Sequence, residues 1–411
     1  MLKRLTPFLG VLALLAGCGP AANPVAPAGI VIPPLSSVTL SVHADTLNVG
    51  ETAQFTAVAF DTAHAPYRGA LSWASSDKGV FVVSSTGLVT AVGEGTALLT
   101  VWGGGKADTA TVLVYATAPG WLVQTSNASE DLYDVFFDTA GRLGWAVGNG
   151  GVVLSTTNAG ASWARRVPTT FALHGVWFTS AQEGWVVGAG GTVLHTLNGG
   201  SSWTRLASTG SSEDLTDVYF ATRDTGWVVG SGGLILATTD RGETWQRTLR
   251  GGVTLNGVMF AGTRDGWVVG DNGIVLGTHD RGATWFTLPY ATSQPLRGLW
   301  RRDAASAVAV GAAGTVLRTS VTPDSVAWAL GNAGNTNQLE GVCLVDPLTG
   351  FAVGSNGTAS AVLYTADGGE TWTPQTANSQ SRLRGVFFLD ARRGWAVGDL
   401  GTIRHTTTGG R

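Results

Sequence analysis

The chain has 411 residues, room for more than one folded domain, and a net charge of −3 with only 13% charged residues. That balance gives no electrostatic footprint for nucleic acid or an anionic membrane surface. Gly (59) and Trp (16) are abundant, and short apolar runs broken by frequent turn residues fit an all-β protein.

Residues 1–17 begin with Lys3 and Arg4 and continue in an apolar run from Phe8 to Ala16. The run is too short to cross a bilayer as a helix and reads as a secretory signal. Leu15-Ala16-Gly17-Cys18 resembles the bacterial lipobox. The resemblance implies that Cys18 is acylated and begins the mature chain, and several acyl chains anchor stably where one does not. Gly19 stands where Asp would favour inner-membrane retention, so the expected place is the cell envelope, on the outer membrane if the host is Gram-negative, facing periplasm or exterior. Residues 18–36, with Pro20, Pro24, Pro27, Pro33 and Pro34, form an extended tether. Apart from Cys18 the thiol inventory is Cys343 alone, which leaves no internal disulfide and reads as a buried small hydrophobe.

Residues 37–116 alternate with period two. Val38–Val42, Ala53–Ala59, Leu71–Trp73 and Ala97–Trp102 read as strands of a small sandwich with Trp73 in its core. Leu47-Asn-Val-Gly50, Trp73-Ala-Ser-Ser-Asp77, Thr86-Gly-Leu-Val-Thr-Ala91 and Gly93-Glu-Gly-Thr96 resemble the bacterial Ig-like group 2 family. Spacer is the expected role, with adhesion the alternative.

From residue 118 to 411 one unit recurs seven times, opening at Leu132, Leu173, Leu215, Leu255, Leu296, Leu339 and Leu383, with spacings of 40 to 44 residues. A period in this range means a solenoid, propeller or array. The consensus is Leu-x-Gly-Val-x-Phe, a loop, Gly-Trp-x-Val-Gly, a tight turn, x-Val-Leu-x-Thr, then x-Asp-x-Gly-x-Thr-Trp. Asp240, Asp280 and Asp367 sit in the last turn, where a carboxylate accepts backbone N–H groups; Asn158 and Asn198 replace Asp in the first two copies. These turns resemble the BNR/Asp-box repeat, and the whole unit resembles the photosystem II assembly and stability factor family of seven-bladed propellers. In that family the boxes are structural. The unit from Leu296 keeps Trp328 but lacks the Asp-Gly turn, so its hairpin is expected to be irregular.

The seventh unit stops before its Trp, and Gly120–Asn127 with Trp121 matches the missing piece. This predicts that an N-terminal strand, 120–127, completes the last blade and clasps the ring, removing an exposed edge. The expected fold is therefore an Ig-like β-sandwich followed by a seven-bladed β-propeller.

No zinc-ligand spacing, nucleotide loop or nucleophile elbow occurs, so catalytic residues, metal and cofactor are all expected to be none. The leading reading is a lipid-anchored binding or scaffold protein, not an enzyme, whose partner is another envelope protein or a glycan. Its membrane contact would run through the lipid alone. The alternative is a sialidase-like or other glycoside hydrolase, or a carbohydrate-binding surface protein. A sialidase needs an Arg-Ile-Pro segment and a Tyr nucleophile, and no Arg-Ile-Pro occurs; other glycosidases need two suitably spaced carboxylates. The second residue of each Leu-x-Gly should ring one mouth of the propeller. Six differ in type: Tyr133, His174, Thr216, Asn256, Arg297 and Glu340, with Arg384 repeating Arg. Tyr133, His174, Asn256, Arg297, Glu340 and Arg384 are the candidate partner-binding residues, with Arg382 beside them. The family resemblance implies an arginine-rich binding patch, to which Arg297, Arg382 and Arg384 are the nearest equivalents. On the opposite rim Arg223, Arg264, Arg301, Arg302, Arg392 and Arg393 alternate with Asp224, Asp265, Asp303 and Asp390, which should cancel their field.

Overall fold

A computed structural model describes residues 33–115, 120–206, 210–289, 292–302, 306–322, 325–357, 359–377 and 379–410. Cys18, the signal segment, most of the tether and Asp303 lie outside the described residues. The chain divides into two compact units, up to Thr117 and from Ala118.

The first unit is a β-sandwich. One sheet orders Ala44–Asn48, Lys106–Tyr115, Gly95–Gly103 and Ser72–Ser75; another orders Thr52–Gln54, Leu88–Ala91 and Phe81–Val83; Leu35–Leu40 pairs with Ala57–Asp61. Alternate residues Leu99 and Val101, and Val112 and Val114, meet Phe55, Phe81 and Val89 in the core. Two expectations need correcting. Ala53–Ala59 is not one strand: it breaks at Phe55, whose ring is buried and whose N–H bonds the Gly87 carbonyl (2.9 Å), and the chain changes sheet there. Turning one large ring inward costs the strand its straight run. Trp73 is half-buried and packs on the core from its margin.

The second unit has seven four-stranded antiparallel sheets. In the third blade the order from axis to rim is Leu215–Phe220, Gly226–Gly230, Leu234–Thr238 and Gln246–Leu249. The seventh sheet takes Leu383–Phe388, Gly394–Gly398 and Ile403–Thr406 from the C-terminus and Leu122–Gln124 from the start of the unit. Its closing pairs are Leu122 with His405, Val123 with Arg404 and Gln124 with Ile403. Trp121 is buried and meets Phe388 edge-to-face at 5.6 Å.

The repeated aromatics hold neighbouring blades together. The Trp of Gly-Trp-x-Val-Gly lies flat on the Phe at the sixth position of the next blade's innermost strand: Trp145 on Phe178 (3.6 Å), Trp185 on Phe220 (3.7 Å) and Trp227 on Phe260 (3.5 Å). Trp395 on Phe137 (3.7 Å) carries the stack across the seam. Such pairs are each worth about 0.5–1.5 kcal/mol beyond their buried area. In the fifth blade Arg301 stands where the Phe would be, and its guanidinium lies 5.4 Å over Trp267.

The outer two strands of the fifth blade pair regularly, against expectation, and their turn, residues 323–324, lies outside the described residues. Without an Asp-box turn, Val316–Thr322 and Ser325–Leu330 pair without a register shift from Leu317–Leu330 through Thr322–Ser325. The segment is rich in β-branched residues, which favour continued strand over a turn.

Candidate functional site

Each innermost strand skips one residue against its neighbour. The register shifts fall between Leu132 and Asp134, Leu173 and Gly175, Leu215 and Asp217, and likewise in the other four blades. The skipped residue is the second of its unit every time, in Leu-x-Gly in five blades and Leu-x-Asp in two. A β-bulge re-aims the side chain it leaves unpaired, and here it aims all seven at the axis. Tyr133, His174, Thr216, Asn256, Arg297, Glu340 and Arg384 line one cavity of about 170 Å³. Gly follows in five blades because the strands crowd there: a Cβ on Gly341 would come within 2.7 Å of the Arg384 carbonyl, and one on Gly298 within 2.9 Å of the Glu340 carbonyl.

Several of these side chains reach the next blade. His174 Nδ1–H donates to the Leu215 carbonyl (2.7 Å), Thr216 Oγ1–H to the Leu255 carbonyl (2.5 Å), and Asn256 Nδ2–H to the Leu296 carbonyl (2.8 Å). Arg384 pairs with Asp399 and Asp131 and covers the Tyr133 ring at 5.1 Å. Arg382 pairs with Glu340, which Arg297 approaches at 3.8 Å. The three arginines thus meet Asp131, Glu340 and Asp399 and make no unopposed basic patch. Of the three, Arg297 is the most exposed (40%) and has the longest ion pair. The variety around the ring therefore serves blade-to-blade bonding as well as presenting surface.

Below the mouth, sequence reasoning missed two groups. Asp134 and Asp217 occupy the third position of their units, where the other blades have Gly. Asp134 Oδ2 accepts the Val176 N–H (2.9 Å) and Asp217 Oδ2 the Val258 N–H (2.8 Å), each across a blade boundary. Both line the same cavity. Both are partly buried and keep accessible surface where they line it. Burial pushes Asp134 up to about 6; burial, with the Asp134 charge added, pushes Asp217 up to about 8. At the far end Phe136, Trp177, Trp300 and Phe387 line the wall, with Phe136 5.1 Å from Trp177 and 5.3 Å from Phe387. The signal was available, since an Asp departing from a Gly consensus on a buried strand demands a reason.

The Asp-box carboxylates are consumed by their own turns. Asp240 Oδ1 accepts Thr238 Oγ1–H (2.7 Å) and Thr244 N–H (2.9 Å), and Asp280 and Asp367 repeat the pattern. The Thr284 hydroxyl and amide hold Asp280 down to about 2. Asn158 and Asn198 make the same pair of bonds. The turn also clamps the preceding blade, since Trp185 and Trp227 donate Nε1–H to the carbonyls of Arg241 and Arg281 (both 2.9 Å).

On the opposite rim, Arg223 pairs with Glu183, Arg241 with Asp224 and Arg393 with Asp390. Arg301 is not a rim residue: it is 6% exposed, against Trp267, because the stack between blades needs a flat group there. His195 and His405 fill gaps against Trp185 and Trp395. The Cys343 thiol is buried, accepts the Phe388 N–H and is pushed up to about 12 by burial. Among the described residues, no group of three or more His, Cys, Asp or Glu could hold a metal ion.

Residues 34–114 match the bacterial Ig-like domain (group 2). Residues 114–211 and 207–322, half the chain together, match the family described as photosynthesis system II assembly factor YCF48. Among solved structures, YCF48 bound to D1 peptide is 20% identical, covering 71% of this chain and 96% of its own at a TM-score of 0.59. YCF48 from Cyanidioschyzon merolae is 20% identical, covering 70% and 98% at 0.58. The GH74 xyloglucanase from Xanthomonas campestris is 13% identical, covering 71% of this chain and 54% of its own at 0.55. At these identities the likeness is one of fold. No curated protein matches the chain. The chain belongs to the photosynthesis system II assembly factor YCF48 family, with an Ig-like domain of group 2 ahead of its propeller.

Proposed function

We propose that this protein is a non-enzymatic binding platform of the cell envelope. It is anchored through an acylated Cys18, spaced by its Ig-like domain, and docks a segment of a partner protein on the mouth ringed by the seven bulged residues. One observation carries the reading: the chain repeats a bulge seven times and puts a different side chain on nearly every one, around one axial cavity. The repeated acids, by contrast, are spent in turns. A family relative has been solved with a bound peptide, D1, which supports a protein ligand in general. The GH74 likeness keeps a glycoside reading in play as the alternative, and a glycoside panel tests it directly.

The test is affinity capture from solubilised envelope, with mass spectrometry comparing the native chain, Arg297→Ala at the mouth and Arg264→Ala on the opposite rim. Arg297 is chosen because its removal breaks only a long ion pair, whereas Arg384 is built into the blade seam. The expected result is at least a tenfold loss of the captured partner with Arg297→Ala, about 1.4 kcal/mol, and none with Arg264→Ala. The reverse pattern refutes the assignment of face. Cys18→Ser should release the protein to soluble fractions or leave an uncleaved precursor; normal processing with detergent-only extraction refutes the anchor.

A further inference from the structure

The axial cavity has a chemistry of its own beneath the mouth. Two carboxylates, Asp134 and Asp217, face a space of about 170 Å³, enough for several waters or one small group. Each accepts two backbone N–H bonds, one from its own following residue and one from the next blade. Neither has a cationic partner among the described residues. The arginines at the mouth are tied to Asp131, Asp399 and Glu340. Burying carboxylates without a counter-charge is unfavourable unless they are protonated or a cation arrives.

The wall beyond them is a second, independent feature. Phe136, Trp177, Trp300 and Phe387 come from four different blades, and Phe387 lies 6.0 Å from Trp300 as well as 5.3 Å from Phe136. Aromatic faces attract cations through the ring quadrupole and repel anions, and the attraction grows when water is excluded. Carboxylates on one side and aromatic rings on the other therefore favour one class of guest.

We propose that the axial cavity binds an alkylammonium group, with its charge against Asp134 and Asp217 and its methylene or methyl groups against the aromatic wall. Two sources share that chemistry. One is a lysine side chain of a docked protein, which rests on the mouth being the docking face. The other is a free quaternary ammonium solute, which does not.

The same geometry predicts how binding varies with pH. The other titratable or charged side chains on the wall are Tyr133, His174, Arg297, Glu340 and Arg384. With Asp134 raised to about 6 and Asp217 to about 8, a cation must displace protons from these carboxylates at the acid end of that range. Affinity for a permanently charged guest should rise with pH through this range and level off above it.

The experiment is calorimetric titration of the full chain with tetramethylammonium chloride and, separately, Nα-acetyl-lysine methylamide, at pH 6 and 8.5 and constant ionic strength. Saturable binding is expected, at least tenfold tighter at pH 8.5, with heats that depend on buffer ionisation enthalpy at pH 6, where a proton is released, and far less at pH 8.5. The tighter guest identifies the source. Asp217→Gly installs the residue that five other blades already carry and should lose at least tenfold. Phe387→Leu tests the aromatic wall independently and should weaken tetramethylammonium about threefold or more. No saturable binding of either guest at pH 8.5 overturns the proposal, as does native-like binding by both variants. No partner is present in the titration, so its failure leaves the docking face standing, and failed capture leaves the titration standing.

Discussion

Removing the indole of Trp121 should open the ring at its one non-contiguous joint. Trp121 is 3% exposed and sits in a cluster with Phe351, Val362, Ala377 and Phe388. It precedes a strand of only three residues that holds the seventh blade through the pairs Leu122–His405, Val123–Arg404 and Gln124–Ile403. Truncating a buried Trp to Ala costs about 3–5 kcal/mol in transfer and cavity terms. Beyond Trp121 the strand is tied by Gln124, which donates to the Ala159 carbonyl (3.0 Å) and accepts the Trp163 indole N–H (3.3 Å), and by the Gly120 N–H on the Thr408 hydroxyl (3.3 Å); none of these replaces the buried indole. Trp372→Ala is the matched control. Trp372 is equally buried (5%) in the sixth blade, but its outer strand, Thr373–Gln375, follows its neighbour by a hairpin and cannot leave. Urea denaturation followed by circular dichroism should show a loss of about 4 kcal/mol for both variants. Sedimentation should show self-association for Trp121→Ala alone, because only there is a strand edge exposed. A Trp121→Ala protein within about 1 kcal/mol of native, or association in both variants, would refute the clasp.

Arg301→Ala should cost about 2 kcal/mol through the lost stack on Trp267 and the lost bond to the Asp265 carbonyl (3.2 Å). Urea midpoints measure this, and partner capture should be unchanged. Asp280 is held near 2 in the folded chain against about 4 unfolded. It therefore contributes stability above pH 4 that is lost as pH falls towards 2; Asp280→Asn should flatten the acid limb of a thermal-melt profile. Cys343 should resist iodoacetamide at pH 8 in the folded state and react fully in urea, since its thiol is buried and pushed up to about 12.

Much of this architecture is legible in the sequence because a repeat fixes position along the chain. The Leu-x-Gly, Gly-Trp-x-Val-Gly and Asp-box segments mark strand ends and turns by local chemistry. Trp121 betrays the closing strand because the last unit lacks its Trp. What escapes is contact between units. That the Trp of one blade lies on the Phe of the next is a relation across some forty residues, set only when the ring closes. For the same reason Arg301 reads as a rim charge when it is a flat group in a stack. Averaging the units into a consensus also hides the exceptions. Asp134 and Asp217 vanish under the Gly of their position, though they define the chemistry of the axis. In the Ig-like unit, period-two alternation runs through Phe55 without revealing that the chain changes sheet there.

Which face of the propeller a partner meets is the central question, and photo-crosslinking answers it directly. A benzophenone side chain at position 297 reports from the mouth, and one at position 264 from the opposite rim. In envelope preparations irradiated under identical conditions, position 297 should give a discrete crosslinked protein and position 264 none. A discrete product from position 264 with nothing from position 297 would place the partner on the opposite rim and refute docking at the mouth.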